Sequence, residues 1–182
     1  VFTGSTQVAQ TINRTLAAKN GPIVPLIAET GGINVMVTDA SALPEQIADD
    51  VIASAFRSAG QRCSALRLLL LPSEIADKII AMIVGAAREL KVGDPHEIST
   101  HVGPVIDQEA KQRLDEYIGK MKTDARLHFA GATNAEGTFV TPHIFEIASA
   151  EDLNEEIFGP VLHILRYERK NMNGTLAALV RK

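Results

Sequence analysis

Short apolar runs alternate with amphipathic stretches along this chain, and that alternation restricts the folds open to it. "ALRLLLLP" at residues 65–72 reads as a core strand. A helix precedes it from Leu43 to Ser58, with Pro44 in its first turn and Ile47, Val51, Ile52 and Ala55 turned inward. Gly60 is placed to stop that helix. A second helix follows, capped by Ser73 and running through Lys91, with Ile75, Ile79, Ile83, Ala86 and Leu90 in register. "VFTG", "PIVPLIAE" and "INVMVTD" read as earlier strands, the last of them buried. Pro22 and Pro25 make the middle one irregular. A helix opens on Ser5-Thr6 with Val8, Ile12 and Leu16 on one stripe. Beyond a loop-rich stretch, Asp107 caps a helix through Met121. "ARLHFAG", "GTFVTPHIFEI" and "VLHILRYE" are strands, and residues 174–182 form a further helix. Strands separated by helices favour an α/β fold with a mostly parallel sheet, because a parallel return needs a crossover of about a dozen residues.

Composition removes several function classes. The chain has 182 residues, is 46% hydrophobic and carries a net charge of −4. It lacks both a dense Lys/Arg block and tryptophan, so nucleic acid is not an expected partner of this segment. No apolar run approaches the roughly 20 residues of a membrane helix. No basic, apolar leader stands at the start, so no secretion signal is expected. The chain opens on Val1 without a methionine and stops within a helical pattern, which suggests a piece of a longer protein.

The single cysteine stands in "AGQRCSALR", after a helix and before the core strand. One cysteine forms no intrachain disulfide and suits a reducing compartment. Cys63 can be a small buried hydrophobe. It can also be a nucleophile, which requires a thiolate, access and donors for the oxyanion formed on attack. Gly60 permits an unusual backbone, and Arg62 and Arg67 flank the thiol with positive charge. The five histidines, His96, His101, His128, His143 and His163, are scattered, with neither catalytic nor zinc-site spacing. Glu29, in "LIAETGGINV", is the better partner. It ends an apolar strand beside two glycines, where an open α/β sheet forms its crevice. Partial burial there would raise its pKa and make it a base. The alternative is a solvated strand-end carboxylate.

Taken in order, "FTGST", "ETGGINV", "SAGQRCSALR", "GP-V-I" and "EEIFGP" resemble the aldehyde dehydrogenase superfamily. Within it the chain is similar to 1-pyrroline-5-carboxylate dehydrogenases, and to the C-terminal dehydrogenase module of the bacterial proline utilisation A family. Thr30 in "AETGGIN" and Ser64 after the cysteine carry that narrower likeness. The resemblance implies a three-layer catalytic domain with a mostly parallel sheet over residues 29–182, incomplete at its C-terminus. Residues 1–28 would be a remnant of the Rossmann-like NAD-binding domain.

The resemblance also implies roles. The Cys63 thiolate would attack glutamate 5-semialdehyde, with the Cys63 backbone N–H among the oxyanion donors. Hydride would pass to NAD, and Glu29 would activate the water that hydrolyses the thioester to glutamate, the second step of proline catabolism. Gly4, Ser5, Thr30, Gly31, Glu156 and Phe158 would line the cofactor. Ser5 would meet its pyrophosphate at a helix N-terminus, where free N–H groups favour anions; an ordinary N-cap serine is the alternative. Glu156 would accept from the nicotinamide-ribose hydroxyls with Phe158 beside that ring, although Glu155-Glu156 alone reads as a solvated turn. Arg62 and Ser64 would hold the substrate carboxylate. No metal is implied, and FAD would belong only to a separate proline dehydrogenase domain. The parent would be a cytoplasmic bacterial homo-oligomer, and the segment alone is expected to have little or no dehydrogenase activity. A dehydrogenase for another aldehyde and a non-catalytic structural module remain alternatives.

Overall fold

The computed structural model describes residues 1–133 and 136–180. It divides into two compact units, Val1–Gly32 and a larger one from Ile33 onward. Glu29 to Gly32 therefore belong with the first unit.

In the first unit, β1 (Phe2–Thr3) pairs in parallel with β2 (Ala28–Glu29). Between them runs α1 (Thr6–Ala18), which Ser5 caps by accepting the Val8 N–H at 3.3 Å. The strand expected over residues 22–29 shrinks to its last two residues. Pro22 and Pro25 have no N–H to give a ladder.

The larger unit is built on five strands in the order β3-β4-β7-β6-β5. They are β3 (Val35–Val37), β4 (Leu68–Pro72), β5 (Arg126–Ala130), β6 (His143–Ile147) and β7 (Val161–Tyr167). Every pairing is parallel except β5 with β6. The helices are α2 (Pro44–Phe56), α3 (Ser73–Arg88), α4 (Gln108–Asp124) and α5 (Met172–Val180). The last residues of the expected C-terminal helix lie outside the described residues. Two side chains of β7 show how the layers stack. Arg166 reaches Asp77 of α3, whereas His163 meets Tyr117 of α4. Residues three apart in a strand point to opposite faces. Hence α3 and α4 cover opposite faces of the sheet, giving three layers.

The central strands are the driest. Leu68, Leu69, Leu70 and Leu71 are each at most 1% exposed. Burial of each contributes roughly 1.5–3 kcal/mol. In contrast, β3 is not the buried strand expected from its sequence. It lies at the sheet edge, with Val35 39% and Val37 42% exposed. Asp107 caps α4 as expected, accepting from the Ala110 N–H at 2.8 Å. Ser73 does not cap α3; its hydroxyl donates to the Tyr167 carbonyl at 3.2 Å. Among the described residues no helix is long and apolar enough to cross a membrane.

Candidate active site

The helix α2 ends in a turn with unusual backbone geometry. Ser58, Ala59 and Gly60 have φ of 56°, 52° and 66°, three consecutive residues in the left-handed region. For the two residues carrying a Cβ this conformation costs roughly 1–2 kcal/mol each. Gly60 has a second constraint: a Cβ there would lie 2.1 Å from the Gly159 carbonyl oxygen. The cysteine-bearing turn and the "IFGP" turn thus meet backbone to backbone.

Arg67 joins the same two turns. Its side chain is 2% exposed and makes five hydrogen bonds, matching the five N–H donors of a guanidinium. Nη1 donates to the Gly60 carbonyl at 2.7 Å and the Gly159 carbonyl at 3.2 Å. Nη2 donates to the Arg62 carbonyl at 3.2 Å and to Glu156 Oε1 at 2.9 Å, and Nε reaches the same Oε1 at 3.2 Å. The Phe158 ring lies over the guanidinium, 5.2 Å away, with 47% of the residue exposed. This corrects the view of Arg67 as a cation lent to the thiol, because its charge is matched by the Glu156 carboxylate. Glu156 is equally not a solvated turn residue, its side chain being 13% exposed.

Cys63 is exposed, as are Arg62 and Ser64, so the thiol is not a core hydrophobe. Arg62 Nη2 donates to the Ala53 carbonyl at 3.1 Å. Two residues without an expected role hold the turn from its other sides. Asn34 Nδ2 donates to the carbonyls of Cys63 at 2.7 Å and Ala65 at 2.9 Å. Gln61 accepts from the Ile106 N–H at 2.8 Å and donates to the Pro104 carbonyl at 3.3 Å. That contact draws the "GPVI" segment to the cysteine. A lone amide at the head of the apolar "VMV" run was the available signal for Asn34.

Below the turn, His163 is buried. Its Nδ1 donates to the Arg67 carbonyl at 3.0 Å, and its Nε2 lies 2.8 Å from the Tyr117 hydroxyl. Burial, with the Arg67 charge adding to it, pushes the His163 pKa down to about 4. Burial raises that of Tyr117. His163 therefore stays neutral in the folded state while the unfolded chain protonates below about pH 6.5. The unfolded state binds more protons between those values, so stability is full above about pH 6.5 and declines toward pH 4. A shift to about 4 corresponds to a loss of about 3 kcal/mol over that window. Urea unfolding of wild type and His163→Asn from pH 7 to 4 checks this: the variant should show the shallower pH slope.

In the first unit, pairing of Thr3 with Glu29 brings the "TGS" and "ETGG" motifs together, and the Gly4 N–H donates to the Glu29 carbonyl at 3.1 Å. Glu29 and Gly31 are exposed and Thr30 is half-buried. Glu29 thus lacks, within this unit, the partial burial expected of it. Cys63 belongs to the other unit.

The chain as a whole is similar to proteins of known type. A model of the aldehyde dehydrogenase family matches residues 1–174. The bifunctional protein PutA of Klebsiella aerogenes is 47% identical over 184 residues, covering 95% of this chain and 14% of PutA. The 1-pyrroline-5-carboxylate dehydrogenase of Geobacillus kaustophilus (strain HTA426) is 39% identical over 168 residues, covering 88% of this chain and 32% of that enzyme. A solved structure of bifunctional proline utilization A (PutA) is 67% identical with a TM-score of 0.96, over 99% of this chain and 18% of that one. The chain thus spans a small share of each of these relatives.

Proposed function

The chain belongs to the aldehyde dehydrogenase family, and from that premise we propose that it is part of an NAD-dependent dehydrogenase that oxidises glutamate 5-semialdehyde to glutamate in proline catabolism. The observation that carries this is the exposed Cys63 in a turn clamped by the "EEIFGP" and "GPVI" segments. PutA and 1-pyrroline-5-carboxylate dehydrogenase as relatives support the substrate. Residues 1–28 are proposed as a remnant of a cofactor-binding domain, whose compact unit runs on to Gly32, and 29–182 as an incomplete catalytic domain, within a longer, cytoplasmic and oligomeric bacterial protein. The segment alone is proposed to be inactive.

The Cys63 thiolate adds to the aldehyde carbon, and the former carbonyl oxygen becomes an oxyanion facing backbone N–H donors. NAD, when bound, supplies the hydride acceptor. The residues fit such a cofactor. Ser5 and Gly4 offer an exposed helix N-terminus, with Thr30 and Gly31 in the same unit. Glu156 offers a fixed carboxylate for hydroxyl donors and Phe158 a half-exposed ring. Arg62 and Ser64 hold the substrate carboxylate. Once the acyl group is a thioester on sulfur, Glu29 takes a proton from water, the hydroxide attacks the acyl carbon, and sulfur departs as thiolate.

Glu29→Gln in the full-length protein tests the division of labour. The first turnover should release NADH as a burst near one equivalent, while the steady-state rate falls roughly 10²–10⁴-fold, as for loss of a general base. Loss of the burst would instead place Glu29 before acyl transfer and refute its role as the deacylating base.

A further inference from the structure

The geometry points to Arg67 as a positioning residue that fixes the direction of the Cys63 backbone N–H. The inference rests on the dehydrogenase function proposed above and deepens it. A peptide unit is planar and trans, so its C=O and N–H point in opposite directions. The Arg62 carbonyl shares its peptide unit with the Cys63 N–H. That carbonyl is held by Arg67 Nη2 at 3.2 Å and by the Ala65 N–H at 3.0 Å. With the carbonyl turned inward to the buried guanidinium, the Cys63 N–H is turned away from it. On the other side of the sulfur, Asn34 holds the Cys63 carbonyl in the same way. Arg67 is itself held along its whole length. Its carbonyl accepts from His163, through both Nδ1 and the backbone N–H, at 3.0 Å each. Its head is neutralised by Glu156 and covered by Phe158.

Lysine cannot replace this. It has three donors around one point charge, whereas the fork of arginine reaches four separate acceptors: Gly60, Gly159, Arg62 and Glu156. Arg67→Lys should therefore release the two turns together. The consequence for chemistry is selective. Aldehyde addition creates an oxyanion that needs the aimed N–H. Alkylation by iodoacetamide displaces iodide at carbon and creates no oxyanion, so it reports only on the thiol.

The test uses the full-length protein carrying Arg67→Lys. Hydrogen exchange should quicken at least about tenfold in peptides covering residues 60–66 and 156–161, with Ser73–Arg88 unchanged. The kcat for aldehyde oxidation should fall on the order of 10²-fold. The rate of Cys63 alkylation should stay within about threefold, because alkylation needs no oxyanion donor. Exchange unchanged at either turn, kcat unchanged, or alkylation falling in step with kcat would each overturn the inference. Should wild type make no NADH from the semialdehyde, the proposed function fails and the exchange measurement still decides the clamp. If Arg67→Lys does not fold, Glu156→Gln serves in the exchange experiment, where about threefold quickening at both turns supports the clamp and no change refutes it.

Discussion

Cys63→Ala in the full-length protein should lower kcat/KM for aldehyde oxidation by at least ~10⁴-fold, the scale on which removal of a covalent nucleophile acts. No other sulfur exists in the chain as a thiol to substitute for it. The loss should be confined to chemistry. Cys63 is exposed, and the turn around it is held by backbone carbonyls on Arg67 and Asn34 rather than by the sulfur. Surface substitutions away from packed features usually move stability within about 0.5 kcal/mol. NAD affinity and unfolding temperature should therefore match wild type. Kinetics of NADH formation with saturating aldehyde, beside a fluorescence titration of NAD, check both halves. Activity within tenfold of wild type would end the nucleophile assignment, and the dehydrogenase proposal with it.

Gly60→Ala should damage stability more than any other single-methyl change in the larger unit. The added carbon would stand 2.1 Å from the Gly159 carbonyl oxygen and 3.0 Å from that of Ala55, at a φ of +66°. Backbone atoms cannot rotate aside as a side-chain tip can, so the two turns must part and the Arg67 bonds that span them must stretch. Strain at φ contributes roughly 1 kcal/mol. With the clash and the lost bonds, a total of about 3–5 kcal/mol falls in the range reserved for such mechanisms. A shift of roughly 2–4 °C per kcal/mol makes this a fall of about 10 °C in unfolding temperature. Gly85→Ala is the control: it lies in α3 with open space around its Cβ position. It should raise stability by up to about 1 kcal/mol through helix propensity. Calorimetry on both variants distinguishes them, and a Gly60→Ala protein as stable as wild type would contradict the close approach of the two turns.

What could be read from the sequence was what depends on near neighbours. The run "LLLL" announces a strand with no wet face, and Leu68 to Leu71 are that strand. Asp107 three residues before Ala110 is a local cap, and it forms. What failed depends on partners far along the chain. "INVMVTD" is apolar enough for a core strand, yet composition does not say that β3 sits at an edge with half its surface open. Ser73 stands where a cap belongs, but its hydroxyl finds the Tyr167 carbonyl, 94 positions away. Glu155-Glu156 reads as a wet turn because the arginine that dries Glu156 lies 89 positions earlier. The candidate site divides the same way. Cys63 and Glu29 stood out by residue type beside glycines, whereas Asn34, Gln61 and the true partner of Arg67 are contacts across loops.

The strand order has a consequence for synthesis. β4 pairs with β3 and β7, but β7 is made after the other four strands of this sheet. On a ribosome the Arg67 guanidinium emerges 89 residues before the carboxylate it pairs with. Because distant pairing is slow to form, the turn that carries Cys63 is among the last parts of the unit to be fixed.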